Sequence, residues 1–340
     1  MEIWEEPVRG GYPPPWTVAL TGPDRFERFA EVSPYPPIGH FVGVRPIERD
    51  GSWATALMPV SPWLVSPQGR VPLGALAIVA DLAFGMALGE QLPAGVGFTT
   101  AELSLTRVRE PALHGELEAR GTLIHSSPQM GLTGVQVFDA DRQLVAAGTS
   151  RLSIFPPFPD LPPIPDPIVP IERPTYDTPD PWERQPAGDV LDPEVWSSLS
   201  GLEVLQAQAK GDLPRPPIGR LTGLWVTDAV EGSATLTMPT SGWMTTPAMT
   251  VQGGFTAMIA DAALACAIQT HMERGDSFRP IDVKVNYLRP VFPDGRRLTA
   301  VGTVTHRGRS LAIAHATVTN ADGKPVAVAT GSAVLEAPSA

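Results

Sequence analysis

One internal repeat constrains the architecture of this chain more than any other feature. Residues 37–115 recur with altered side chains as residues 217–295, at a constant offset of 180 that also relates Asp81 to Asp261. Each copy spans roughly 120 residues, which is enough for one hydrophobic core. A period this long, repeated only twice, predicts two fused domains, because solenoid repeats are shorter and more numerous.

Composition and charge exclude several classes of protein. Hydrophobic residues make up 43% of the chain, and 25 basic against 36 acidic residues give a net charge of −11. Nucleic-acid binding needs clustered Lys and Arg, so it is disfavoured. The longest apolar runs contain an aspartate, so no membrane span is predicted. A single cysteine, Cys266, and an acidic start without signal-peptide features predict a cytoplasmic protein.

A proline-rich segment separates the two copies. We predict a first domain over residues 20–155, a connector over 156–200 and a second domain over 201–337. Proline fixes φ and removes backbone donors, so the connector is expected to be extended, irregular and at the surface. Helical spacing predicts a short helix ahead of each copy, at Asp24–Ala30 and Gly201–Ala207.

Both copies have the same predicted order of elements: two strands, one long apolar helix and four more strands, which is an α+β arrangement. In the second copy the helix is Gly254–Ile268, apolar around nearly its whole circumference. Such a helix is typically enclosed by protein, so we expect a sheet to wrap it. The strands of this copy are predicted over residues 221–230, 233–238, 281–288, 297–306, 310–319 and 326–335.

An aspartate interrupts the apolar helix of each copy. Asp81 follows Gly74 by seven residues, and Asp261 follows Gly254 by the same number. Each carboxyl therefore lies about two turns along the glycine face of its helix. A carboxyl in apolar surroundings is costly to ionise. Two interpretations remain open from the helix alone: a structural aspartate bonded to a neighbouring group or to the other copy, and a catalytic carboxyl.

Three segments of the second copy carry a family resemblance through their order and spacing. They are Gln252-Gly253-Gly254 with Ala260-Asp261, then Asp282-Val283-Lys284-Val285-Asn286-Tyr287-Leu288-Arg289-Pro290, then His306-Arg307-Gly308-Arg309-Ser310. This set resembles the hotdog-fold acyl-CoA thioesterases of the phenylacetate-pathway, or PaaI-like, type. The resemblance implies two tandem hotdog domains, each a long helix wrapped by a curved antiparallel sheet. It also implies hydrolysis of an acyl-CoA to free acid and coenzyme A between the domains.

The resemblance implies two composite sites, in each of which the amino end of one helix meets the aspartate of the other. A free backbone N–H would stabilise the oxyanion, and the aspartate would activate water or attack the carbonyl. The first site combines Gln252 and Gly253 with Asp81, and with Thr100 as a water-positioning hydroxyl. The family usually has histidine at Gln252, and glutamine keeps a donor without changing charge near neutral pH.

The second site would combine Pro72 and Leu73 with Asp261, and Pro280 takes the place of the hydroxyl. Proline has no side-chain donor. Leu73 replaces a glycine that lets substrate approach closely. We therefore expect the first site to be the working one.

For the coenzyme A part of the substrate, the resemblance points to the loop Arg307-Gly308-Arg309-Ser310, with Arg289 as a weaker candidate. Two cations and a tight turn suit phosphates, although the same arginines also fit ordinary solvated hairpin residues. The first copy has Ser126-Ser127-Pro128-Gln129 instead, which predicts one principal ligand site. No separate cofactor is expected.

Other catalytic signatures are absent from the sequence. It has no Gly-x-Ser-x-Gly elbow, no phosphate-binding Gly-x-x-x-x-Gly-Lys loop and no paired Cys or His with zinc spacing, so no metal is expected. Two alternatives to the hydrolase stay open: a noncatalytic acyl-CoA binding or sensing protein, and a hotdog hydratase. The hydratase is disfavoured because the Asp and His pair of that branch has no counterpart. Related units often form tetramers, which implies a homodimer of these chains.

Overall fold

A computed structural model describes residues 2–336, so the predicted end of the second domain, Ala337, lies outside the described residues. These residues form seven α-helices and twelve strands, an α+β fold. The helices are α1 (Gly22–Val32), α2 (Pro37–Val42), α3 (Leu73–Gly89), α4 (Pro193–Ser198), α5 (Gly201–Lys210), α6 (Pro217–Thr222) and α7 (Gly253–Gln269). The strands are β1 (Arg45–Asp50), β2 (Trp53–Pro59), β3 (Phe98–Arg107), β4 (Glu116–Ser126), β5 (Met130–Phe138), β6 (Leu144–Ile154), β7 (Trp225–Val230), β8 (Ser233–Pro239), β9 (Ser277–Tyr287), β10 (Arg297–Arg307), β11 (Leu311–Thr319) and β12 (Pro325–Glu336).

One antiparallel sheet runs through both copies. Its strand order is β1-β2-β4-β5-β6-β3-β9-β12-β11-β10-β8-β7, so the copies join where β3 pairs with β9. The first half of the sheet packs on α3 and the second half on α7. Both helices are buried along most of their length, as their all-round apolar sequence predicts. The prediction of two tandem hotdog domains is confirmed.

The two long helices cross near their amino ends, where glycine permits close contact. A Cβ placed on Gly74 would lie 2.5 Å from the Met258 Cα, and one on Gly254 would lie 2.6 Å from the Ile78 Cα. No side chain larger than glycine fits at either point without moving the backbone. This crossing brings the aspartate of each helix to the amino end of the other.

The predicted elements of the second copy lie within a few residues of the observed ones. The helix predicted over 254–268 is α7, and the strand predicted from residue 281 begins earlier, at Ser277. The first strand was predicted to begin at residue 221, which is wrong. Residues 221 and 222 end α6, and Gly223 then takes a left-handed conformation with φ of 73° that turns the chain into β7.

The predicted connector contains helical turns as well as irregular chain. Residues 156–179 form neither helix nor strand, whereas Pro181–Glu183 is a 3₁₀ turn and Pro193–Ser198 is α4. The predicted short helices are present as α1 and α5. The domain boundaries that we placed at 20–155, 156–200 and 201–337 remain a prediction.

The structural repeat extends beyond the segments that match in sequence. Near the start of each copy lies a 3₁₀ turn closed by a capping box, at Ile3–Glu5 and at Pro181–Glu183. A glycine of positive φ follows each turn, Gly10 with φ of 77° and Gly188 with φ of 94°. We call residues 2–12 the first arm and residues 180–190 the second arm.

The arms are exchanged between the copies. In the first arm, the Trp4 carbonyl accepts a hydrogen bond of 2.7 Å from Ser241 of the second copy. In the second arm, the Trp182 carbonyl accepts one of 3.2 Å from Ser61 of the first copy. Each arm therefore contacts the copy to which it does not belong, and its last residues also bond its own copy, from the Gly11 N–H to the Tyr35 carbonyl and from the Asp189 N–H to the Arg215 carbonyl.

Candidate active site

The first composite site forms where the amino end of α7 meets Asp81 of α3. Asp81 is only 8% exposed, and its Oδ1 accepts a hydrogen bond of 2.9 Å from the Thr100 hydroxyl. Burial raises the pKa of Asp81 to about 6, while the Thr100 hydroxyl and the Gly254 and Gly253 amides oppose the rise. The structure thus brings the predicted aspartate, hydroxyl and helix start together.

Gln252 lies at the N-cap of α7, between that helix and α3. Its Nε2 donates a hydrogen bond of 3.0 Å to the Ile78 carbonyl. Its Oε1 is buried and has no hydrogen-bond partner among residues 2–336. A buried acceptor without a partner is costly, so this oxygen is free to accept from a water or from a substrate group.

Gly253 brings the start of α7 close to the carboxyl of Asp81. A Cβ at Gly253 would lie 3.2 Å from the Asp81 Oδ2 and 3.3 Å from the Tyr287 Cζ. Gly253 itself is only partly buried, although the carboxyl behind it is buried. A larger residue at position 253 would therefore crowd the Asp81 carboxyl and the Tyr287 ring.

Tyr287, at the end of β9, completes this site and had no predicted role. Its hydroxyl donates a hydrogen bond of 2.9 Å to the Gly253 carbonyl. Burial raises the pKa of Tyr287 well above its ordinary value, so the hydroxyl stays protonated and remains a donor. The Gly253 carbonyl and the Gly254 N–H belong to one planar peptide, so Tyr287 orients the amide that faces Asp81.

The second composite site has the same helix crossing but different surroundings. Asp261 is 3% exposed and accepts a hydrogen bond of 2.8 Å from the Gly74 N–H. Burial raises the pKa of Asp261 to about 6, opposed by the Gly74 amide and then by the charge of Arg107. Leu73 is fully buried in the place that Gly253 takes in the first site. The position of Thr100 is occupied by Pro280 of β9, which has no hydroxyl.

Arg107 is the counterpart of Tyr287 in the second site and likewise had no predicted role. It ends β3, donates a hydrogen bond of 3.0 Å to the Val71 carbonyl and pairs with Glu110 at 2.7 Å. Both residues could have been found in the sequence, because the offset of 180 relates Arg107 to Tyr287 directly. The second site therefore carries a cation where the first carries a neutral hydroxyl.

The loop Arg307–Ser310 lies at the Asp261 end of the sheet. It joins β10 to β11, and both of its arginines are exposed. Its neighbour Ala312 pairs with Ala333, which in turn pairs with Pro280 of the second site. The first site lies near the other end of β11, since its Tyr287 pairs with Ala327, and Ala327 with Val318. The nine residues of β11 span about 26 Å.

This register separates two groups that we expected to serve one ligand. The Arg307–Ser310 loop and Tyr287 of the first site lie at opposite ends of the strands, so the loop is nearer to Pro280 of the second site. Its role in binding coenzyme A stays a prediction. Arg289 lies at the Asp81 end, two residues after Tyr287, where its guanidinium donates to the Pro325 carbonyl.

Comparison with known proteins agrees with this fold. Residues 249–327 match the family model described as thioesterase superfamily. The tesB protein of Mycobacterium avium subs paratuberculosis is 12% identical with a TM-score of 0.53, covering 86% of this chain and 96% of that chain. Acyl-CoA thioesterase II TesB2 from Mycobacterium marinum is 12% identical with a TM-score of 0.52, covering 89% and 98%. A comparison with curated protein sequences gave no match.

A further solved structure, a conserved protein with the hot dog fold from Alicyclobacillus acidocaldarius, is 13% identical with a TM-score of 0.52 and covers 90% of this chain and 100% of that chain. Identities this low establish the shared double-hotdog fold alone. The family match over residues 249–327 adds that part of the second copy is similar in sequence to the thioesterase superfamily. Membership of the PaaI-like type remains a prediction.

Proposed function

We propose that the chain hydrolyses an acyl-CoA thioester at the composite site around Asp81. The observation that carries this proposal is the buried Asp81 carboxyl, held by Thr100 opposite the open amino end of α7 at Gly253. A carboxyl whose pKa lies near 6 is ionised at neutral pH and can still accept a proton, as a general base requires.

In the proposed reaction the thioester carbonyl takes the Gly253 amide as its hydrogen-bond donor, displacing the Asp81 carboxylate from it. Water attacks the carbonyl carbon and gives one proton to Asp81, and the amide stabilises the oxyanion. The tetrahedral intermediate then expels the coenzyme A thiolate, which takes that proton from Asp81. Thr100 holds the carboxylate, and the free Oε1 of Gln252 accepts a hydrogen bond from the water.

Attack by the carboxylate itself is the other route that the family resemblance leaves open. It would form an acyl anhydride on Asp81 with loss of the thiolate, followed by hydrolysis. The hydrogen bond from Thr100 lowers both the basicity and the nucleophilicity of the carboxylate, so it does not distinguish between the two routes.

The Asp261 site is proposed to be catalytically silent. Leu73 occupies the space through which substrate would reach the carboxyl, and Pro280 supplies no hydroxyl. Arg107 also favours a charged Asp261 that interacts with the protein and not with water. Asp261 then stabilises the helix crossing through its bond to the Gly74 amide.

The coenzyme A of a substrate bound for attack at Asp81 is proposed to leave the site past Arg289, which lies at that end of the sheet. Arg309→Ala, in the loop at the opposite end, is the matched control for Arg289→Ala. A rise in KM confined to Arg289→Ala supports this path, and a rise confined to Arg309→Ala contradicts it.

The test of the function is release of free coenzyme A thiol from short, long and aromatic acyl-CoAs. Asp81→Asn is expected to lose most turnover, whereas Asp261→Asn, an equally buried substitution in the same fold, retains it. Full activity in Asp81→Asn would exclude the proposed site. Binding of acyl-CoA by the wild type without any release would instead favour the noncatalytic binding protein.

A further inference from the structure

Two hydrogen bonds connect the first arm to the segment that precedes α7. Trp243 Nε1 donates a hydrogen bond of 3.1 Å to the Glu6 carbonyl. The hydroxyls of Tyr12 and Thr245 lie 2.9 Å apart and share a hydrogen bond. An arm of the first copy therefore holds residues 243–245 of the second copy in place.

Residues 243–245 in turn hold the start of α7. The Met244 carbonyl accepts a hydrogen bond of 3.0 Å from the Gln252 N–H. Thr245 forms an isolated bridge with Val251, immediately before it. Gln252 and Gly253 supply the free acceptor and the amide of the proposed site, so a shift of this segment moves both groups. Misplacement by about 1 Å can cost a large factor in rate.

The second arm makes the matching tryptophan contact near the other composite site. It lacks the two hydrogen bonds that connect the first arm to a helix start. Trp63 Nε1 donates a hydrogen bond of 3.0 Å to the Arg184 carbonyl, as Trp243 does to Glu6. Val190 stands where Tyr12 does and has no hydroxyl. Pro72 stands where Gln252 does and has no N–H to donate. Only the first arm is therefore connected by hydrogen bonds to a helix start.

We propose that the first arm is a positioning element for the Asp81 site, acting through the hydrogen bond between Tyr12 and Thr245. This inference rests on the proposed function, because it assigns the arm a role in the same reaction. The arm touches no reacting atom. It fixes the segment 243–245, which fixes Gln252 and Gly253, and it does so from the copy that also supplies Asp81.

The two arms give a matched pair of variants, Trp4→Ala and Trp182→Ala, in the full-length chain. Both remove a buried or half-buried tryptophan from an equivalent 3₁₀ turn. Trp4→Ala is expected to lower kcat by about tenfold or more, and Trp182→Ala by less than about twofold, at comparable losses of Tm. Equal losses of kcat in the two variants would make the arms general stabilisers and overturn the proposal.

Tyr12→Phe tests the same contact without removing packing. Loss of one hydrogen bond of about 1 kcal/mol corresponds to a fall in kcat of about fivefold, with KM unchanged and a smaller loss of Tm than in Trp4→Ala. Hydrogen exchange of the 251–254 amides gives a readout that does not depend on turnover, and it is expected to accelerate in Tyr12→Phe and not in Trp182→Ala. Unchanged exchange would overturn the role of Tyr12, whereas a wild type without turnover would contradict only the proposed function.

Discussion

At the scale of single residues, Asp81 and Asp261 are two carboxyls with nearly equal burial and different neighbours. Each sits at the amino end of the opposite helix, and burial raises both pKa values to about 6. The difference lies around them: a hydroxyl and an open glycine at Asp81, and Arg107 with a buried leucine at Asp261. On the proposed function, residue identity at three or four positions decides which composite site supports hydrolysis.

The pKa of Asp81 predicts the pH dependence of turnover. A general base must be ionised, so kcat/KM is expected to fall as pH drops through about 6. The Thr100 hydroxyl lowers this pKa by bonding the carboxylate, so Thr100→Val is expected to move the inflection to higher pH and to reduce the maximal rate. A pH profile of coenzyme A release measures both effects. If Thr100→Val leaves the inflection at the same pH, the inflection does not report the ionisation of Asp81.

The pKa of Asp261 predicts a pH-dependent stability. Its folded-state pKa of about 6 lies above its ordinary value of 3.8, so the folded chain binds more protons between those values. The stability of the wild type therefore falls as pH rises from about 4 to about 6 and stays lowered above that range. Asp261→Asn has no such cost, and its amide oxygen can still accept from Gly74.

The stability of Asp261→Asn relative to that of the wild type is accordingly expected to be greater at pH 7.5 than at pH 4. A pKa shift of about two units corresponds to about 3 kcal/mol as an upper estimate. Urea unfolding at the two pH values, with tyrosine and tryptophan fluorescence as the signal, measures the difference. The same change in unfolding free energy at both values would contradict ionisation of Asp261 as its source.

At the scale of elements, the glycines at the helix crossing make a sharp prediction. Gly74→Ala places a Cβ 2.5 Å from the Met258 Cα, so it is expected to destabilise the fold by about 3 kcal/mol or more. Gly85 on the same helix is the control, because a Cβ there lies 3.3 Å from the end of the Phe98 ring. Gly85→Ala is expected to be near neutral, since alanine favours a helix by about 0.5–1 kcal/mol over glycine. Denaturant unfolding of both variants tests the crossing.

Helices and strands with a regular spacing of apolar residues could be predicted from the sequence to within a few residues. The run from Gly254 to Ile268 is apolar on every side and has one interpretation as a buried helix, so α7 was predicted almost completely. Asp81, Thr100, Gln252 and Gly253 were also predicted to meet, and they do. That grouping followed from the offset of 180 and from the family resemblance together.

The pairing of strands was harder to predict, because it depends on contacts between distant residues. Arg307 and Arg309 follow the second aspartate in sequence, yet only the register of β9, β12 and β11 decides which end of the sheet they share. The arms were not predicted because they share only a tryptophan, a glutamate and a glycine, since Trp4, Glu5 and Gly10 match Trp182, Glu183 and Gly188. Three shared residues carry too little pattern to define a repeat.

At the scale of the whole molecule, the two copies are expected to unfold together. They share one twelve-stranded sheet, two crossed helices and exchanged arms, so neither copy can lose its structure and leave the other's contacts intact. Calorimetry should show one transition with equal calorimetric and van't Hoff enthalpies. Two resolved transitions would mean that the copies are independent units. Association of two chains into a homodimer, and residence in the cytoplasm, remain predictions.

The continuity of both halves in one polypeptide has an evolutionary consequence. In a symmetric pair of identical chains, every substitution occurs twice, so a change that suits one composite site is imposed on the other. Here the two halves are different stretches of one chain, so each can change without the other. Leu73 and Gly253 therefore differ although they occupy equivalent places. One composite site is thereby released from selection for chemistry and can accumulate changes that serve stability or a different ligand.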